Sequence, residues 1–135
     1  MTTGTTAYND YEQGNVTTRK AGAAITRGCL VKLDTTEGQV VVTTAITDVV
    51  FGVALNTAGS GEMVKVQRRG VCKVLIGEAI ALGASIMPIG TGGGKAATAA
   101  GATAVSCGVA ESQGDTDAQL IRVELLRMLK SPANT

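Results

Sequence analysis

The stretch Val49–Gly70, VVFGVALNTAGSGEMVKVQRRG, returns in degenerate form from Ala104 to Leu126 as AVSCGVAESQGDTDAQLIRVELL. Each copy reads as a strand, a polar loop containing glycine, and a second strand, with Gly52, Val53 and Ala54 matched by Gly108, Val109 and Ala110. The segments upstream repeat as well. Gly22, Ala24, Ile25 and Gly28 correspond to Gly77, Ala79, Ile80 and Gly83 at an offset of 55; Gly52 meets Gly108 at 56 and Lys65 meets Arg122 at 57. The drift falls in loops, where insertions are tolerated. Neither copy can bury its apolar face alone, so the two must fold together. The repeat therefore predicts an all-β fold: a single small β-barrel or sandwich built from two degenerate repeats, approximately residues 21–75 and 76–130. An extended N-terminal arm, residues 1–20, precedes this core, and a polar tail, residues 131–135, follows it.

A chain of 135 residues fits one domain and one core, and two separate cores are not expected. Aromatic residues are 2% of the chain, so its apolar content is aliphatic and the Trp and Tyr anchors of compact binding hot spots are scarce. Affinity for a partner must then come from extended area and repetition. A small-molecule or glycan-binding barrel would need an aromatic-lined pocket, and this composition counts against one. With 12 basic and 11 acidic residues the chain lacks the one-signed surface that phosphate backbones demand, so nucleic acid is not an expected partner. The weakly polar run from Ala79 to Gly90 is too short to span a bilayer and contains Pro88, and the first residues have neither the charged nor the apolar region of a secretory signal.

Chemistry fails at the first step. Histidine is absent, which removes the usual general base and the commonest metal ligand. Cys29, Cys72 and Cys107 are odd in number, widely spaced and set in strand-like apolar runs, which predicts buried free thiols and neither a zinc site nor a disulfide framework. GTGGGKA at Gly90–Ala96 invites comparison with a phosphate-binding loop, but Ile89 and Ala96 break that motif and no helix is expected after it, so it reads as a glycine-rich hairpin. Asp115 and Asp117, with Glu111, supply too few oxygens at the wrong spacing for calcium and read as an ordinary acidic loop. No catalytic, cofactor or metal residues are assigned, and an enzyme is not expected.

Candidate partner-binding residues come instead from the arm and from one strand end. Tyr8 and Tyr11 stand in the threonine-rich arm, which reads either as a segment that orders on a neighbouring subunit with the tyrosines as anchors or as a leader with incidental tyrosines. Arg19 and Lys20 close the arm. Arg68 and Arg69, near Lys65 and Lys73, form a basic strip that either guards a strand edge or meets acidic side chains on a partner. EMVKVQRRG alternates, with Met63, Lys65, Gln67 and Arg69 on one side and Val64, Val66 and Arg68 on the other. Glu78–Ser85 has helix-favouring residues, but Gly77, Gly83 and Pro88 argue for strand and turn, and Leu120 to about Leu126 is expected as the closing strand.

The duplicated Ala-x-Ile-x-x-Gly unit, the Phe-Gly-Val-Ala-Leu run at Phe51–Leu55, the Gly-Glu-x-Val-x-Val strand at Gly61–Val66 and the Cys-Gly-Val-Ala echo together resemble the small capsid cement, or head decoration, proteins of tailed bacteriophages. The resemblance covers roughly residues 21–125. It implies a β-rich core, a homotrimer on the outer surface of the icosahedral capsid, and the major capsid protein as partner, in a virion whose parts are made in the host cytoplasm. It brings no catalytic residues. Another virion β protein, such as a tail-tube, head-fibre or adaptor component, is the alternative. Under the leading reading, removal of residues 1–20 is expected to leave a folded core and weaken attachment to the shell.

Overall fold

The computed structural model describes residues 16–89, 93–99 and 106–125. All regular structure among them is β. The strands of the first half are β1 (Val16–Ala21), β2 (Leu30–Leu33), β3 (Gln39–Val42), β4 (Gly52–Ala54) and β5 (Met63–Gln67). Those of the second are β6 (Gly70–Leu75), β7 (Ser85–Pro88), β8 (Ala96–Thr98), β9 (Gly108–Ala110) and β10 (Leu120–Leu125). The first five close into a barrel in the order β1-β3-β2-β4-β5, and the second five form a sheet in the order β6-β10-β9-β7-β8. These are one topology. β1 runs antiparallel to β5 and parallel to β3; β6 runs antiparallel to β10, and just beyond its end Ile76 makes a parallel bridge to Ala96 of β8.

Equivalence extends to single bonds. Ile25 and Ala58 exchange backbone hydrogen bonds at 2.8 and 2.9 Å, and Ile80 and Gly114 exchange the same pair at 2.9 Å each. The N–H of Gly28 donates to Ala54 and that of Gly83 to Ala110, and both glycines hold positive φ, 92° and 84°, where a side chain would be strained. The all-β fold with two degenerate repeats that the sequence predicts is therefore present, and so are the turn at Glu78–Ser85 and the closing strand.

Two boundaries differ from the sequence reading. Val16–Ala21 is a wall of the first barrel, so the core begins inside the segment assigned to the arm; polar VTTRKA looks like a tail, yet only its alternate residues face inward. Gly70–Leu75, assigned to the first copy, pairs along six positions with β10 and is the counterpart of β1, so the copies divide at the β5–β6 turn.

The expectation of one shared core is also corrected. Ile25, Val31, Val40, Val64 and Val66 pack inside the first barrel, while Val74, Ile76, Ile80, Ile86, Ile121 and Val123 pack inside the second unit. Short aliphatic side chains fill two narrow cores well, which is why the near absence of aromatics is no handicap. Strand alternation then joins the two. Val31 points into the first barrel, but its neighbour Leu30 and the residue paired with it, Val53, are fully buried on the opposite face, in the second unit's core. Full burial of a leucine of this kind contributes about 2 to 3 kcal/mol. Leu75 returns the contact from the second unit to the first cluster, and its N–H donates to Gly28 at 2.8 Å. The Leu30 N–H donates to Gly94 at 2.6 Å, and the Gly94 N–H to Thr43 at 3.2 Å.

Candidate partner-binding site

At one end of the first barrel, Phe51 packs half-buried on the barrel core, held by its N–H donating to Val31 at 2.7 Å. Two arginines meet its ring. The Arg68 guanidinium lies 3.9 Å from the ring centroid, and Arg68 Nε donates to the Phe51 carbonyl at 2.9 Å. The Arg19 guanidinium lies 5.3 Å from the same centroid. Register puts Arg19 there. It opposes Val64 on β5, and Thr17 opposes Val66; directly opposed side chains share a face, so Arg19 and Thr17 face the inside of the barrel alongside the two valines. Arg19 Nη1 also donates to Thr18 O at 3.1 Å. Both arginines are half-buried, with their guanidinium groups against an aromatic face.

The second unit resolves the same end differently. Counterparts of Thr17, Arg19, Phe51 and Arg68 are Cys72, Val74, Cys107 and Leu125, and all four are buried. The three cysteines are free and buried, as the sequence predicts. Desolvation pushes the Cys72 thiol up to about 11 and the Cys107 thiol up to about 12, and Cys107 Sγ donates to Ile86 O at 3.8 Å. Such thiols are packing groups and poor nucleophiles.

Of the residues singled out from sequence, the structure brings Arg19 and Arg68 together. Lys20 stands on the outer wall opposite Met63, and Arg69 is exposed in the β5–β6 turn, its carbonyl accepting from Gln67 Nε2 at 2.8 Å. Tyr8 and Tyr11 lie outside the described residues. The edge-guarding reading of the basic strip does not hold at Lys65, because β5 is paired on both sides, by β1 and β4. Phe51 was missed as the organising side chain, although its alignment with Cys107 marked a place where the copies diverge. Arg122 was aligned with Lys65, yet its pairing with Lys73 needs the strand register to be seen. Of the glycine-rich segment, residues 90–92 lie outside the described residues, while Gly93 and Gly94 turn ahead of a strand, β8, and Lys95 Nζ is paired with Asp117 Oδ1 at 2.8 Å. No group of three metal-ligating side chains gathers among the described residues.

A family model described as phage cement protein matches residues 12–125, a span that takes in every strand of both repeats. This duplicated β architecture is that of a structural component of the phage virion. The chain belongs to the phage cement protein family. Among solved structures it is similar to the N base of head fiber gp8.5 in bacteriophage phi29, with a TM-score of 0.65 and 17% identity over 84% of this chain and 94% of that one. At this identity the likeness is one of fold. No curated protein matches the chain.

Proposed function

We propose that this protein decorates and stabilises an icosahedral phage capsid by binding across major capsid protein subunits on the outer surface, as a homotrimer at three-fold and quasi-three-fold positions. The observation that carries this reading is the family match running through both repeats. The molecule suits the work: two interlocked small cores give a rigid body, and its aliphatic composition favours broad contacts over a single hot spot. Three arms on a trimer bind multivalently, so modest contacts combine when all can engage. Cyclic symmetry matches a trimer to three-fold positions of a shell. In this reading Tyr8 and Tyr11 anchor the arm, Lys20 and Arg69 meet the shell from the exterior, and Arg19 and Arg68 shape the barrel mouth beside them.

The fold likeness to a head-fibre base supports attachment of a projecting fibre as the second reading. Electron microscopy of the native particle separates the two. Compact density at three-fold and quasi-three-fold positions is expected; a projecting fibre, or a ring or tube at the tail, would refute the cement reading.

A further inference from the structure

The walls β1·β5 and β6·β10 are equivalent, and they carry the same unusual surface. On the first, exposed Lys65 lies opposite Thr18, flanked by Val16 and Met63, which are 38% and 58% exposed. On the second, exposed Arg122 lies opposite Lys73, beside Val71, which is 45% exposed. Val16 and Val71 occupy matching places, as do Lys65 and Arg122. Half of the six large exposed hydrophobics among the described residues thus fall on these two walls, next to the cations.

Alternation places these cations on the solvent side of each wall, and among the described residues no ion pair satisfies them. Lys73 and Arg122 are directly opposed like charges, an arrangement that disfavours the pairing of their own strands. The two ion pairs among the described residues, Lys32–Asp48 and Lys95–Asp117, involve none of Lys20, Lys65, Lys73 or Arg122. Glu124 stands on the same face as Arg122, opposite Val71, and makes no ion pair with it or with Lys73. Both Lys65 and Arg122 sit on internal strands, β5 between β1 and β4 and β10 between β6 and β9, where no open edge calls for a charge.

We infer that the outer walls β1·β5 and β6·β10 are two equivalent docking faces for a carboxylate-bearing protein surface of the shell, each pairing a central cation with exposed aliphatic side chains. The inference rests on the capsid-binding reading and adds to it the chemistry of the partner and the duplication of the site within one chain. A buried contact of this type places acidic groups over the cations and apolar groups over the valines, and association is steered by charge.

The test is binding of the full chain to purified capsids that lack it, at rising salt. Wild type is expected to bind, and to weaken as salt is raised. K65E on one wall and K73E/R122E on the other are each expected to lower affinity about tenfold or more, and the triple variant more than either. K65R and R122K are expected to retain binding. K73Q, which removes the repulsion, is expected to melt no lower than wild type while binding less well, which separates docking from folding. Wild-type-like binding by folded wall variants would overturn the docking faces and leave the capsid reading standing, and an effect of one wall alone would overturn their equivalence. Failure of wild type to bind any capsid would overturn the capsid reading itself. Charge-dependent binding to duplex DNA in place of capsids would overturn the acidic protein partner.

Discussion

The guanidinium of Arg68 covers the ring of Phe51 at 3.9 Å while its Nε donates to the carbonyl of that same residue at 2.9 Å. One side chain thus holds both the ring and the backbone of the loop that enters β4. Phe51→Ala is expected to lower unfolding free energy by about 2 to 3 kcal/mol, below the range for a fully buried ring because Phe51 is half-buried. The Arg68–ring contact should appear as a coupling of about 1 kcal/mol in a double-mutant cycle of Phe51→Ala with Arg68→Ala. The backbone hydrogen bond survives the first substitution, so the cycle reads the ring contact alone. Additive urea midpoints would show that the ring contact contributes nothing.

Ala118 is the one non-glycine residue with positive φ among the described residues, at 68°, and it occupies the place that Gly61 holds in the first repeat at 85°. The correspondence is set by a shared bond: the Gly61 N–H donates to Ala21 and the Ala118 N–H to Ile76, each at 2.8 Å. A left-handed alanine costs about 1 to 2 kcal/mol, and the extra freedom of glycine in the unfolded chain returns about 0.4 to 1 of it. Ala118→Gly should therefore raise stability by up to about 1.5 kcal/mol, and Gly61→Ala should lower it by a similar amount. Thermal melts of the two variants moving the same way would refute the equivalence of the two turns.

What was legible in the sequence follows from these pairs. Offsets of 55 to 57 residues located the duplicated turns and the alternation of β5, because those rest on local backbone demands. Membership of Val16–Ala21 and Gly70–Leu75 was not legible, since a strand with polar Thr17 and Arg19 at inward positions has no apolar period to detect. The division into two cores was hidden for a related reason. Leu30 and Val31 are both buried and adjacent in sequence, but only the register reveals that they serve different interiors. The Arg19–Phe51–Arg68 cluster brings together three separate elements, and no spacing along the chain announces it.

Thr43 is fully buried where the two units meet, with its N–H donating to Leu30 and its carbonyl accepting from Gly94, but its hydroxyl has no partner among the described residues. An unpaired buried hydroxyl costs about 1 to 3 kcal/mol, whereas a methyl of similar size fits an apolar junction. Thr43→Val is expected to leave both backbone bonds intact and to raise the urea midpoint, by an amount equivalent to about 1 kcal/mol. A clear loss of stability would mean that the hydroxyl is satisfied.

The strand at Val16–Ala21 changes what a truncation can test. Removing residues 1–14 leaves β1 paired with β5 along its five positions, so the barrel should stay folded and any loss of capsid occupancy reports on the arm. Removing residues 1–20 takes away that wall and exposes the inward valines Val64 and Val66, so this variant should lose its cooperative melt. Equal melting of the two truncations would contradict the barrel.

Burial of the thiols makes stability depend on pH in one direction. Desolvation raises Cys72 to about 11 and Cys107 to about 12 from an ordinary value of 9.0, and it raises Cys29 as well against the Thr26 backbone hydrogen bond and the Lys95 charge. A raised thiol keeps its proton in the folded state at a pH where the unfolded chain has lost it. Unfolding then releases protons, so the contribution is fully present below about pH 9 and is lost as pH rises through the folded values. Each thiol can steepen the decline by at most about 1.4 kcal/mol per pH unit. Urea midpoints measured from neutral pH up to about pH 11 should fall, and the fall should be shallower in Cys72→Ala/Cys107→Ala even though that variant starts from lower stability. An identical slope in the variant would remove the thiols from the account.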